Sequence, residues 1–160
     1  MKKVKLETEL TVYDALDQLP KDVIELMNKA KEARKNAYAP YSNFSVGAAI
    51  RLDNNKIVTG NNQENASYPS GLCAERTAIF AAGANFPKSK IVTMAIIAGS
   101  NEKETDSPIP PCGACRQSIA EYEVKQNAPI AIYFMGVKGK VVKSDSLANL
   151  LPLIFDRTQL

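Results

Sequence analysis

The sequence predicts an α/β domain of three layers, with helices on both faces of a central sheet. Three observations carry that prediction. Strand-like runs alternate with helical patterns along the chain, the ordering that builds α/β layers. Ile91 to Ala98 is nearly continuously apolar and Ile130 to Met135 repeats the pattern, which marks strands buried on both faces. Between Asp22 and Ala37, the residues Val23, Leu26, Met27 and Ala30 form a 3.6-residue apolar stripe suited to one helix face against such a sheet.

The elements follow in order. The first 20 residues alternate weakly, with Thr8, Leu10 and Val12 on one side and Glu7, Glu9 and Thr11 on the other. They fit either an edge strand or a loose arm, and are set apart as an N-terminal extension (1–20) before one domain (21–160). The helix from Asp22 to Ala37 turns Lys29, Lys31, Glu32 and Lys35 to solvent and ends before Pro40, which cannot continue it. Phe44 to Leu52 reads as a strand, Asp53-Asn54-Asn55 as a hairpin turn and Lys56 to Gly60 as the return strand. After a polar segment, a helix from about Cys73 to Gly83 is rich in small residues: Ala74, Ala78, Ala81 and Ala82. Beyond the strand at Ile91, a charged loop from Gly99 to Pro111 carries Pro108 and Pro110, and a second short helix runs from Cys112 to about Tyr122. The strand at Ile130, a short one from Lys140 to Lys143 and a helical turn from Leu147 to Leu151 complete the chain. The domain thus holds five strands.

Composition narrows the function. A chain of 160 residues has single-domain length and can bury a sizeable core. The net charge of +3 is mild, and no Lys/Arg cluster is interleaved with aromatics, so the footprint of a nucleic-acid binder is missing. No apolar run resembles a signal peptide or a membrane span. The expectation is a cytoplasmic protein, where thiols stay reduced and can hold metal. Three cysteines, an odd number with a Cys-x-x-Cys spacing, argue against a disulfide framework.

Those cysteines carry the chemistry. All lie in two short segments, Cys73-Ala-Glu75 and Pro111-Cys112-Gly-Ala-Cys115, in a chain without histidine. A structural zinc site needs four protein ligands, whereas a metal that activates water needs three and one open position. Cys112 and Cys115, three apart at a helix start, share a face. Cys73 begins the other helix, so two positive helix ends can point at one ion. Zinc held by three thiolates is net negative, which those dipoles offset, and soft sulfur donors favour zinc over magnesium or calcium. Arg76, three residues after Cys73, can donate hydrogen bonds to the thiolates. Glu75 is too near Cys73 to be a comfortable fourth ligand, yet it can lean over the open position and carry protons. Taken singly, a cysteine is more often a small buried hydrophobe. Two motifs with Glu75 and Arg76 so placed are hard to explain that way.

Four ordered segments carry a resemblance: Pro40-Tyr-Ser-Asn-Phe44-Ser-Val-Gly-Ala-Ala49, Asn62-Gln-Glu64-Asn65-Ala-Ser-Tyr68, Cys73-Ala-Glu-Arg-Thr-Ala78 and Pro111-Cys-Gly-Ala-Cys-Arg-Gln117. Together they resemble the homotetrameric zinc-dependent cytidine deaminases, over roughly Asp22 to Phe155. Without histidine the chain matches only the three-cysteine branch. The resemblance implies a mixed five-stranded sheet and one zinc per subunit on Cys73, Cys112 and Cys115. It also implies the known chemistry of zinc deaminases, in which zinc-bound hydroxide attacks C4 of cytosine and a glutamate moves the protons. Glu75 takes that role, passing protons to N3 and to the leaving amine. Free cytidine and deoxycytidine would become uridine and deoxyuridine with release of ammonia, a pyrimidine-salvage reaction.

The same resemblance implies that Phe44 contacts the base, that the backbone around Ala74 holds the base edge, and that Asn62 and Glu64 bind the ribose 3′-hydroxyl. Residues two apart in an extended chain do point the same way, and an amide with a carboxylate can serve a sugar hydroxyl. On residues alone, Asn62 also fits a solvated turn and Phe44 also fits core packing. Leu150-Leu-Pro152-Leu-Ile-Phe155 resembles the family's C-terminal segment, whose phenylalanine enters a neighbouring subunit's pocket; Tyr68 would lie near that contact. Gln63 stands where a small apolar residue is usual, and the first 20 residues have no counterpart in the shortest family members. The partners implied are a small nucleoside and further copies of the chain, with no nucleic acid and no membrane. Competing assignments are a blasticidin-type deaminase, whose family lacks the Asn-x-Glu-Asn-Ala-Ser-Tyr segment, an editing deaminase, and a non-catalytic zinc protein.

Overall fold

The structure, a computed structural model, describes all 160 residues. Strands β1 (Thr11–Tyr13), β2 (Phe44–Leu52), β3 (Ile57–Asn61), β4 (Ile91–Ser100), β5 (Ala131–Met135) and β6 (Val141–Ser144) form one mixed sheet in the order β1-β6-β5-β4-β2-β3. Only β4 and β5 run parallel, joined by a crossover through helix α3 (Gly113–Gln126); the other pairs are antiparallel. Helices α1 (Lys21–Arg34) and α2 (Ala74–Asn85) complete the regular framework.

The period-two alternation of the buried strands divides the core. Met94 and Ile96 of β4 join Ile50, Ile79, Ile119 and Ile132 in one cluster, under α2 and α3. Ala95 and Ile97 join Leu26, Met27, Ala30 and Tyr133 in a second, under α1. Helices therefore cover both faces. Each fully buried leucine or isoleucine contributes about 1.5–3 kcal/mol, so both faces are energetically committed.

Two glycines set how closely the helices sit. A Cβ on Gly47 would lie 2.0 Å from the Ala30 carbonyl oxygen, and one on Gly60 would lie 2.5 Å from the Ala78 nitrogen. Backbone meets backbone at both places, which brings the start of α2 against β3 and hence beside the site.

The sheet has six strands, which corrects the expected five. Thr11, Val12 and Tyr13 pair with Lys143, Val142 and Val141, so part of the N-terminal extension is an edge strand. The physical reason is that β6 would otherwise end the sheet with an unpaired edge. Tyr13 and Leu16 also pack on the α1-side core. The first helix closes at Arg34 rather than Ala37. The second begins after Cys73 and runs to Asn85. The third extends past Tyr122 to Gln126, where Asn127 turns left-handed at φ 49°. The last helical turn is a 3-10 turn, Leu147–Asn149. No helix is long and apolar enough to cross a membrane.

Candidate active site

Cys73 and Cys112 are the last extended residues before α2 and α3, with ψ of 155° and 168°. Cys115 is the third residue of α3. Two loops and two helix starts thereby bring the three sulfurs within 4.8 Å of one another. The Cys73 and Cys112 sulfurs are 3.7 Å apart, and those of Cys112 and Cys115 3.4 Å. Thiolates on a tetrahedral zinc, with bonds of roughly 2.3 Å, would stand about 3.8 Å apart. The donor set and its spacing fit zinc.

Electrostatics agree. The Cys73 thiol is lowered to about 5, first through its hydrogen bond with Cys115 and then through Arg76. Cys115 is pushed far up by the same hydrogen bond and by burial, so the charge resides on Cys73. A divalent cation would take the place of the shared protons. The Arg76 guanidinium donates to the Cys73 sulfur at 3.9 Å, while its Nε is buried without a partner, a donor suited to a fully ionised thiolate cluster.

Glu75, the second residue of α2, is 4% exposed. Burial, followed by the Cys73 charge, raises its carboxyl to about 7. A buried carboxyl that titrates near neutrality can both accept and return a proton.

Beside these groups opens a cavity of about 660 Å³, lined by Cys73, Cys112, Glu75 and Arg76 together with Phe44, Asn62 and Glu64. That volume lies within the usual range for a small-molecule site. Val46, Ile96, Ala98 and Ile109 supply apolar wall, and Tyr41 and Tyr68 line it too, their rings 5.9 Å apart. Phe44 belongs to neither core cluster. Asn62 is 8% exposed, so it is not a solvated turn residue. Its amide accepts from the Val46 N–H at 2.8 Å and donates to the Phe44 carbonyl at 2.9 Å, fixing the start of β2. Ala74 is fully buried and its side chain stays out of the cavity, as does the Cys115 side chain. Phe155 is 59% exposed and lies outside it; its carbonyl accepts from Gln117 Nε2 at 2.7 Å.

Sequence reasoning missed Tyr41 and Ser42. Their backbone N–H groups donate to Glu64 Oε2 at 2.9 and 3.3 Å, and the Ser42 hydroxyl donates to Oε1. The available signal was Ser42-Asn43, a turn-forming pair, with Asn43 left-handed at φ 51°.

Comparison with known proteins decides the family. The model for the cytidine and deoxycytidylate deaminase zinc-binding region matches residues 20–129. The cytidine deaminase of Sporosarcina psychrophila is 40% identical over 139 residues, 87% of this chain and 95% of that protein. The chain belongs to the cytidine deaminase family.

The crystal structure of the cytidine deaminase from Burkholderia pseudomallei shares the fold, with a TM-score of 0.71 and 40% identity over 82% of this chain and 97% of that one. The blasticidin-S deaminase of Bacillus cereus is more distant, 31% identical over 84% of this chain and 92% of that protein. This chain is accordingly a zinc-dependent hydrolytic deaminase, and Cys73, Cys112 and Cys115 form the one three-thiol cluster it offers the metal.

Proposed function

We propose that this deaminase hydrolyses free cytidine and deoxycytidine to uridine and deoxyuridine, releasing ammonia. One observation carries it: a buried carboxyl near neutrality, Glu75, beside three thiols in a cavity of nucleoside size. Cys73, Cys112 and Cys115 hold the zinc, which supplies the polarisation that makes water a nucleophile near neutral pH. Glu75 accepts a proton as water adds at C4 and delivers it to N3. It then takes the remaining proton from the C4 hydroxyl and passes it to the amine as the C4–N bond breaks, so one water is consumed and one ammonia released. Arg76 balances the thiolate charge. Phe44 packs on the base, and the backbone around Ala74, whose N–H has no partner within the helix, serves its polar edge. Asn62 and Glu64 take the 3′-hydroxyl, using the hydrogen-bonding capacity their internal contacts leave over.

The assembly we propose is a homotetramer in which Phe155, exposed on a single chain, enters a neighbour's site and Tyr68 lies close by. Residues 21–160 form the deaminase domain, and residues 1–20 an extension that caps the sheet edge. Three free cysteines suit the reducing cytoplasm.

The experiment is the ultraviolet change on mixing protein with cytidine, deoxycytidine and blasticidin S in turn. Wild type should convert the first two. Glu75→Gln should keep its zinc and lose turnover by about 10²–10⁴-fold. Preference for blasticidin S would reassign the substrate, and loss of zinc in the variant would make Glu75 a ligand of a structural site. Sedimentation of the fully active protein as a monomer would remove the tetramer.

A further inference from the structure

Glu64 is held by a loop more than 20 residues away in sequence. Each of its oxygens takes a donor from that loop: Oε1 from the Ser42 hydroxyl, Oε2 from the N–H groups of Tyr41 and Ser42 at 2.9 and 3.3 Å. The Ser42 hydroxyl is itself oriented. It accepts from the Phe44 N–H at 3.1 Å, so its single proton is directed at the carboxylate. The left-handed turn at Asn43, φ 51°, brings these donors round. The backbone of Glu64 is pinned as well, its N–H donating to the Tyr38 carbonyl at 2.9 Å.

We propose that Ser42 is a positioning residue for sugar recognition. It locks Glu64 in the one rotamer whose remaining lone pair, on Oε1, meets the 3′-hydroxyl, and it keeps the carboxylate a pure acceptor. Three donors favour the ionised carboxylate, which only accepts, so Glu64 reads a hydroxyl that donates and rejects a sugar lacking it. Both residues line the cavity, consistent with that reach. Without the Ser42 hydroxyl, a long side chain near the surface regains rotamer freedom that binding must then remove. This inference rests on the assignment of Glu64 as a sugar contact.

The test compares cytidine with 3′-deoxycytidine for wild type, Ser42→Ala and Ser42→Thr. Wild type should favour cytidine. Ser42→Ala should lose about tenfold in kcat/KM for cytidine, mainly through KM, with 3′-deoxycytidine unchanged. Ser42→Thr, which keeps the hydroxyl, should restore discrimination. Equal losses on both substrates, a loss confined to kcat, or discrimination unchanged in Ser42→Ala would each overturn the positioning role while leaving Glu64 in place. A wild type that uses both substrates equally would remove the sugar contact of Glu64, and Ser42's role with it.

Discussion

The two ends of the cavity are built by different means. At the metal end, Cys73 and Cys112 immediately precede α2 and α3 and Glu75 and Cys115 lie in their first turns, so the local backbone sets the spacing within each pair. At the sugar end, Asn62 and Glu64 are held by side-chain hydrogen bonds to a loop and a strand 16 to 23 residues away in sequence. Within each pair the spacing follows from short-range helix geometry, and folding brings the two helix starts together. The sugar end depends on a few contacts near the surface, each individually breakable. Changes at the first should abolish chemistry, and changes at the second should weaken recognition and leave the chemical step intact.

The largest effect tests the metal end. Cys115→Ala removes a buried thiol, and the purified protein should hold far less than one zinc per chain and show background turnover. A normal zinc content by atomic absorption, with activity retained, would break the contrast between the ends.

A middle effect tests the sugar end. Asn62→Ala leaves the Val46 N–H and Phe44 carbonyl without their partner, at a cost of about 1–3 kcal/mol for each such group. Thermal unfolding should fall by several degrees and KM should rise, with kcat changed less. A kcat loss comparable to that of Glu75→Gln would show that the two ends are not separable.

The smallest effect sharpens the distinction. The Ser42 hydrogen bond, foremost among its causes, holds the Glu64 carboxyl below its ordinary value. The charged form is therefore retained as pH falls and is lost only on passing through that lowered value. In Ser42→Ala the value returns towards the ordinary one, so the second, lower acid limb of kcat/KM for cytidine, beneath the one that Glu75 sets near 7, should move to higher pH. An unmoved limb would detach Glu64's ionisation from Ser42.

How much was legible in the sequence follows the same division. The strands at Phe44, Ile91 and Ile130 and the helices after Cys73 and Pro111 were readable because periodicity and residue type act over a few neighbours. So was the cysteine set, since spacing at a helix start already implies a shared face. The helix ends were less legible: the first stops at Arg34, short of the extent of its local pattern, while the second and third run on past Gly83 and Tyr122 to Asn85 and Gln126.

Only the tertiary structure decided the rest. The weak alternation of the first 20 residues fitted an edge strand or a loose arm, and Thr11–Tyr13 became the sixth strand because β6 offered an open edge. The double hydrogen bond of Asn62 to β2 and the grip of Ser42 on Glu64 join segments whose separation is set by folding. The Glu75 carboxyl was visible in sequence; its rise to about 7 was not, because burial dominates that shift and burial belongs to the assembled core.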